Sequence, residues 1–436
     1  MDAKKIIGIP LLIGVVAIFI WMLFPSTNEL GEKFEAKVQA PELIKANPVK
    51  SINLYVDFSG SMRGYIDFAG IESGKNTFIR TVSSMLDNLE SEYKVTSVSK
   101  CGKDTYAKDP LRLAMQNKKI FNDVTTSIQN MVHEAKANAN DSSLSIVVSD
   151  MVMSWGKAKI IESKDTFYNK TQIDGLGAAI HSEMKAIKDA GLDVMMVQYY
   201  SDFNGRYYYN YTENIKASDL YKGKKMEKRP FYIFFVGKAD LLKDLVYKNC
   251  IKEYENIYTS FNIDVCSKTV NYELAAKEGD DYAKLWNIGN AENEESTAIG
   301  GIWTADDLGS STSSFTIRCN DLIVPPSCYT THTKLFAEST PDVFSTSSVI
   351  YPDFNLHFTL KPYNELESGE VEVRVMCNNN WSEDASTLDD INESKMDGKT
   401  WGFESIIKNI DKAFYPNGRD YNQIVGTFKF GIQKNN

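Results

Sequence analysis

Two mostly apolar runs of strand length, each followed at once by an aspartate, constrain the fold of this chain more than any other feature. The first, residues 52–56, precedes Asp57, and the second, residues 144–149, precedes Asp150. Nearly continuous apolar runs indicate strands buried on both faces, and helical patterns separate them. This alternation predicts an α/β fold with a doubly wound, mainly parallel sheet. In the strand order 3-2-1-4-5-6 the first and fourth strands are neighbours, so both aspartates lie at the ligand-binding crevice.

The turn after the first run carries one carboxylate and two hydroxyls at alternating positions. These are Asp57, Ser59 and Ser61, and Gly60 between the serines permits a tight turn. Such a turn aims three hard oxygen donors at one point, which suits a small cation such as Mg²⁺. The Asp-x-Ser-x-Ser pattern resembles the metal-ion-dependent adhesion site of von Willebrand factor type A domains. The alternative interpretation is a polar turn that caps the following helix.

The resemblance extends to two further positions and covers roughly residues 50–250. In the family, a threonine at the start of a later helix and an aspartate after the fourth strand complete the site. Asp150 matches the aspartate, and Thr125 precedes a helical pattern. The family usually has glycines before its threonine, whereas this chain has residues 122–124 (Asn-Asp-Val), so Thr126 stays an alternative ligand. Thr125 is preferred because Ser127 then matches the family's second small hydroxyl.

The resemblance implies a metal-dependent binding protein. Ser59, Ser61 and Thr125 would offer neutral oxygens to Mg²⁺, with Mn²⁺ or Ca²⁺ as substitutes, while Asp57 and Asp150 would act largely through waters. In the family, an Asp or Glu of a protein partner fills the open coordination position. The alternatives are a scaffold subunit of a membrane complex with a structural or empty site, and a surface protein whose β domain carries an unrecognised activity.

Residues 6–24 form an apolar run that follows Lys4 and Lys5 and ends at Pro25. Its length matches a helix that spans a bilayer. A secretory signal peptide is the competing interpretation, but it has a shorter apolar core and a small-residue cleavage site, and neither is found here. The sequence therefore predicts an uncleaved single-pass anchor. The two lysines place the N-terminus in the cytoplasm and the domains outside, in the periplasm or the extracellular space.

Beyond residue 255 the pattern changes from alternating helices and strands to strands with polar and apolar residues in alternation. Residues 354–360 and 371–375 are separated by turn residues, which predicts an antiparallel pair. One helical pattern, residues 401–414, interrupts the strands. The predicted organisation is an anchor (1–25), a linker (26–50), a von Willebrand factor A-like domain (51–255) and a mainly antiparallel β domain (256–436).

Residues 201–229, between the predicted fifth and sixth strands, combine clustered tyrosines with a basic stretch that ends at Arg229. Tyrosines in a loop provide large contact area at little entropic cost, so the segment is a candidate recognition surface. The alternative interpretation is a packed hairpin with a solvated basic turn.

The six cysteines include no Cys-x-x-Cys pair, which argues against a zinc site. Export would permit disulfides between Cys319 and Cys328 and between Cys250 and Cys266, and buried free thiols are the alternative.

The net charge and the histidine content argue against two classes of protein, nucleic-acid-binding proteins and enzymes. The net charge of −10 argues against a nucleic-acid-binding protein, because phosphate backbones select basic surfaces. Only four histidines are present, and the sequence around Ser59 does not form the Gly-x-Ser-x-Gly nucleophile elbow. We therefore predict a binding protein rather than an enzyme.

Overall fold

The structure is a computed structural model. It describes residues 34–38, 49–66, 76–101, 104–107, 121, 128–152, 170–206, 223–261, 270–274, 282–287, 298–302, 314–318, 335–350, 355–361, 365–367, 369–378, 380–388 and 396–433. Among these residues, no helix has both the length and the apolar character needed to cross a bilayer. The predicted anchor, residues 1–25, lies outside the described residues.

The described chain contains nineteen strands and five α-helices. The strands are β1 (Phe34–Val38), β2 (Ser51–Val56), β3 (Ser97–Cys101), β4 (Asp104–Ala107), β5 (Ser143–Ser149), β6 (Asp193–Arg206), β7 (Gly223–Gly237), β8 (Asn256–Thr259), β9 (Val270–Leu274), β10 (Tyr282–Asn287), β11 (Ala298–Ile302), β12 (Ser314–Arg318), β13 (Leu335–Thr340), β14 (Phe344–Ile350), β15 (Asn355–Leu360), β16 (Gly369–Asn378), β17 (Ser386–Thr387), β18 (Thr400–Trp401) and β19 (Asn422–Gln433). The helices are α1 (Thr77–Tyr93), α2 (Ile128–Asn138), α3 (Lys170–Asp189), α4 (Ala239–Tyr247) and α5 (Phe403–Phe414).

A seven-stranded sheet of order β4-β3-β2-β5-β7-β6-β8 forms the centre of the α/β part. Strand β2 lies parallel to both β3 and β5, so the predicted neighbourhood of the first and fourth strands is confirmed. The prediction of a mainly parallel sheet is wrong, because the other four pairings are antiparallel. Strands β6 and β7 form one long hairpin, which returns the chain beside β5. The neighbour of β5 is therefore β7, and the predicted order 3-2-1-4-5-6 does not hold beyond the fourth strand.

Helices cover both faces of this sheet. Alternate residues of β5 enter different cores: Ile146 packs with α1 and α4 on one face, whereas Val147 packs with α2, α3 and α5 on the other. Both side chains are fully buried. The alternation follows from the two-residue period of a strand, and it yields the three-layered α/β/α arrangement predicted from the apolar runs.

Helix α5 lies on the α/β sheet although the sequence assigns it to the β domain. Its apolar side chains, among them Phe403 and Ile407, share a core with α3 and the central strands. The crossing with α3 is close, because a Cβ on Gly177 would lie 2.3 Å from the amide nitrogen of Asn409. Lys188 of α3 donates a 2.9 Å hydrogen bond to the carbonyl of Phe414, at the carboxyl end of α5. The division at residue 255 stays a prediction, but this packing favours an α/β domain that includes the C-terminal helix.

The remaining strands are antiparallel, as predicted, except for the short parallel pair β17–β18, and their partners differ from the prediction. Most of them form a five-stranded sheet, β11-β10-β19-β16-β13, and a three-stranded sheet, β12-β15-β14. The expected pairing of residues 354–360 with 371–375 is wrong, since β15 pairs with β12 and β14, and β16 pairs with β13 and β19. Alternation specifies a strand but not its neighbour.

Strand β1 lies within the segment predicted to be a linker, residues 26–50. It pairs antiparallel with β9, from Phe34 opposite Leu274 to Val38 opposite Val270. The chain before the α/β domain thus contributes a strand to a two-stranded sheet, and the linker stays a prediction.

Cys250 is a buried free thiol, so for this residue the free-thiol alternative holds and the possible disulfide with Cys266 is not formed. Burial raises the pKa of the Cys250 thiol to about 11, which keeps it protonated at neutral pH. Cys319 and Cys328, the other pair that export would permit, lie outside the described residues.

Candidate metal site at the edge of the central sheet

Asp57 and Asp150 directly follow the adjacent parallel strands β2 and β5. The backbone N–H of Asp57 donates to the carbonyl of Val148 at 2.9 Å, which extends the β2–β5 pairing to the first aspartate. Both aspartates are buried, with 3% and 2% of their surface exposed. The carboxyl edge of the sheet therefore holds two acidic side chains side by side, as the sequence predicted.

The carboxylate of Asp57 organises the turn that follows it. Its Oδ1 accepts a 2.8 Å hydrogen bond from the backbone N–H of Ser59, which folds the turn back toward the strand end. Its Oδ2 accepts a 2.8 Å hydrogen bond from the hydroxyl of Ser149 on the neighbouring strand. Ser149 Oγ in turn accepts from the backbone N–H of Met151 at 3.1 Å. Asp57 thus ties both strand ends into one hydrogen-bonded unit.

The hydroxyl oxygens of Ser59 and Ser61 lie close together, as two ligands of one metal ion must. Ser59 Oγ and Ser61 Oγ lie 2.8 Å apart. Adjacent oxygens of an octahedron with metal–oxygen distances of 2.0–2.1 Å are separated by about 2.9 Å. The serine pair therefore already has the spacing of two neighbouring Mg²⁺ ligands, and it forms a hydrogen bond in this structure.

The interpretation of this turn as a helix cap does not match the side chains. Ser61 precedes a short 3₁₀ turn, Met62–Tyr65, but its side chain makes no capping hydrogen bond. Helix α1 is capped by Asn76, whose side-chain oxygen accepts from the backbone N–H of Ile79 at 2.8 Å.

Asp150 has one oxygen engaged and one without a hydrogen bond. Oδ1 accepts from the backbone N–H of Val152 at 3.2 Å, whereas Oδ2 is buried and has no hydrogen-bond partner among the described residues. The next residue, Met151, has a φ of 53°, which is uncommon for a residue with a side chain. Under-satisfied buried oxygens and left-handed backbone concentrate at functional sites.

Arg229 is the site residue that the sequence did not reveal. Its guanidinium Nη2 lies 3.7 Å from Asp150 Oδ2, and its side chain is 2% exposed. One of the two interpretations of residues 201–229 placed it in a solvated basic turn, which is wrong for this residue. The available signal was Pro230, which directly follows Arg229 and introduces a buried apolar run, residues 231–236.

The β6–β7 hairpin brings Arg229 to the site and holds it there. Its guanidinium lies 5.9 Å from the ring centre of Phe203, and its positive charge acts on the hydroxyl of Tyr65 in the 3₁₀ turn. The Tyr65 hydroxyl donates to the carbonyl of Pro230 at 2.5 Å, and burial raises the pKa of Tyr65 well above its ordinary value. A Cβ on Gly205 of the hairpin would lie 2.5 Å from the Cα of Gly64, so the two backbones are in direct contact.

The described part of the site fits a small hard cation in its donor chemistry. It offers two hydroxyl oxygens at ligand spacing and two carboxylates, one with an unengaged oxygen. Nowhere in the described ranges do three or more His, Cys, Asp or Glu side chains lie together to hold a metal ion. The expected ligand set differs from such a cluster, because serine and threonine hydroxyls provide most of its direct ligands. Thr125 and its alternative Thr126 lie outside the described residues, so the predicted fifth ligand stays a prediction.

Comparisons with protein-family models, with curated proteins and with solved structures found no match to this chain.

Proposed function

We propose that this chain is a membrane-anchored binding protein that captures a carboxylate of a protein partner through Mg²⁺ at the carboxyl edge of its central sheet. The observation that carries the proposal is the convergence of Ser59 and Ser61 beside two buried aspartates on adjacent strands. The resemblance to von Willebrand factor A domains supports it through the spacing of these residues.

Each side chain has a distinct role in this proposal. Ser59 and Ser61, with Thr125, offer neutral oxygens, while Asp57 fixes the turn through its two hydrogen bonds. Asp150 contributes negative charge and an unengaged oxygen. When bound, the ion supplies an electrophilic position for the partner's Asp or Glu, because few of its direct ligands are charged.

The second candidate function is a scaffold subunit of a membrane complex in which the site is structural or empty. One observation favours it: Arg229 places a positive charge beside Asp150, so the chain itself already balances part of the acidic charge. In that case binding to a partner would not depend on a divalent ion.

Metal binding separates the two candidates. Isothermal titration of the detergent-solubilised full chain with Mg²⁺ or Mn²⁺ should show binding, and Asp57→Ala should abolish it while the circular dichroism spectrum is retained. Capture of a partner from native membranes should then be lost in EDTA and in the Asp57 variant. Partner capture that survives both treatments would support the scaffold function.

A matched pair of variants tests the fifth ligand. Thr125→Ala should weaken Mn²⁺ binding about tenfold or more, because one direct oxygen is lost. Thr126→Ala, one residue away and identical in chemistry, should leave the affinity unchanged. The reverse result would assign the ligand to Thr126.

The membrane orientation has its own test. Protease added to intact cells, or to spheroplasts where an outer membrane shields the protein, should digest the chain beyond Pro25. Protection of the whole chain while the membrane is sealed would reverse the orientation.

A further inference from the structure

We infer that Arg229 is a built-in counter-cation that makes the divalent ion and the partner's carboxylate bind to this site together. The inference rests on the proposed metal-dependent function and deepens it. It assigns a role to a residue outside the ligand set that the family resemblance implies.

The first step is the fixed position of the charge. Arg229 lies on the β6–β7 hairpin, its guanidinium is 5.9 Å from the ring centre of Phe203, and it is 2% exposed. Its Nη2 lies 3.7 Å from Asp150 Oδ2, which is close enough for strong attraction but beyond hydrogen-bonding distance. Asp150 is therefore balanced in charge by Arg229 while its Oδ2 has no hydrogen-bond partner among the described residues.

The second step is the charge balance of the site. Asp57 and Asp150 carry two negative charges and Arg229 one positive charge, so the three side chains together are singly negative. A divalent cation makes this set singly positive, and a partner's carboxylate then makes it neutral. Without Arg229, the cation alone would neutralise the site, and the carboxylate would leave it negative. Charges count strongly here, because burial weakens solvent screening.

The third step is the consequence for binding. Arg229 repels a cation that arrives alone, so the metal affinity of the free protein is reduced. The same charge favours the carboxylate once the metal is present. By linkage, a carboxylate that binds better in the presence of metal must raise the affinity for the metal by the same factor. The attraction between the metal and the carboxylate sets that factor, and Arg229 shifts the balance from a site filled by metal alone to a site filled by metal and carboxylate together.

The experiment uses Mn²⁺ as the metal probe and acetate as the carboxylate probe on the detergent-solubilised full chain. Isothermal titration should show weak Mn²⁺ binding to the parent and clearly tighter binding when acetate is present. Arg229→Gln should bind Mn²⁺ alone about tenfold or more tightly than the parent, because one nearby positive charge is removed. At a fixed, subsaturating acetate concentration, acetate should tighten Mn²⁺ binding less in this variant than in the parent, because the loss of the positive charge lowers the affinity of the metal-loaded site for acetate.

Two controls isolate the charge. Arg229→Lys keeps a positive charge, and should bind Mn²⁺ with the weak, acetate-dependent affinity of the parent. Arg63→Gln removes an exposed arginine of the adjacent 3₁₀ turn, and should change neither quantity.

The outcomes separate this inference from the proposed function. If the parent binds Mn²⁺ but acetate has no effect on that binding, the inference is overturned, and this result needs no variant to fold. If Arg229→Gln is folded and binds Mn²⁺ no more tightly than the parent, the inference is likewise overturned and the metal site stands. If neither the parent nor any variant binds Mn²⁺, with or without acetate, the proposed function fails as well.

Discussion

The α/β domain contains two buried aspartate–arginine pairs that are built very differently. At the carboxyl edge of the sheet, Asp150 and Arg229 approach only to 3.7 Å. At edge strand β8, Asp411 of α5 and Arg419 are joined by a 3.0 Å hydrogen bond. Both arginines are nearly inaccessible, with 2% and 3% of their side chains exposed.

The Asp411 pair is surrounded by partners. The hydroxyls of Tyr258 and Tyr421 donate to its carboxylate at 2.7 and 2.5 Å, in addition to Arg419. The guanidinium of Arg419 lies 4.5 to 5.3 Å from the ring centres of Tyr258, Tyr415 and Tyr421. These contacts fasten the C-terminal helix to β8, so the cluster serves the fold.

The contrast shows how the same two residue types serve stability in one place and binding in another. A buried charge whose hydrogen bonds are satisfied rigidifies the structure, whereas a buried oxygen left without a hydrogen bond costs free energy unless a ligand engages it. Asp411 belongs to the first kind and Asp150 to the second. Loss of the structural pair should therefore affect folding more, and loss of the site pair should affect metal binding more.

The largest expected effect comes from removing the structural cluster together with its helix. A fragment of residues 45–255 lacks β8 and α5, and so loses Tyr258, Asp411 and the apolar contacts of Phe403 with the sheet. We expect no cooperative urea unfolding of this fragment by circular dichroism, in contrast to residues 45–436. A cooperative transition in the short fragment would mean that the C-terminal segment is dispensable and that the boundary at residue 255 is right.

The next largest effect is expected from Asp411→Asn in the full chain. Neutralising this carboxylate leaves Arg419 buried without its counter-charge, which should lower the free energy of unfolding by about 3–5 kcal/mol. Urea denaturation measures the change. Glu404→Gln on the same helix is the matched control: it breaks an exposed ion pair with Lys408, and should cost less than about 1 kcal/mol. Equal losses in the two variants would contradict the structural role of the cluster.

Asp150→Asn also leaves a buried arginine, Arg229, without this counter-charge, but it should destabilise the protein less than Asp411→Asn, because the pair is not hydrogen-bonded at 3.7 Å and Oδ1 can still accept from Val152. It should, however, remove the stabilisation that Mn²⁺ gives to the parent, measured as the rise in melting temperature at millimolar metal. A loss of stability as large as that of Asp411→Asn would remove the distinction between the two pairs.

The sequence predicted the strands that position Asp57 and Asp150, because each buried run continues up to its aspartate. It also predicted α5 from its apolar spacing. It did not place α5 on the α/β sheet or Arg229 at the site, and both failures have one physical cause. Local periodicity specifies an element and its buried face, whereas the partner of that face depends on the hairpin β6–β7 and on chain far away in sequence.

The smallest effects are expected from variants that remove one hydroxyl group at each of the two sites. Tyr421→Phe removes a donor to Asp411 and should lower the free energy of unfolding by about 1 kcal/mol at neutral pH, and Ser149→Ala removes a donor to Asp57 and should lower it by a similar amount.

The two variants should differ in their dependence on alkaline pH. Burial, together with the hydrogen bond to Asp411 and that group's negative charge, raises the pKa of Tyr421 above its ordinary value. A raised pKa gives stability below the unfolded value of about 10, and this stability is lost as the pH rises further. The deficit of Tyr421→Phe relative to the parent should therefore shrink above that pH in urea titrations, while the deficit of Ser149→Ala stays constant. A deficit of Tyr421→Phe that does not change with pH would mean that the folded structure does not raise the pKa of this tyrosine.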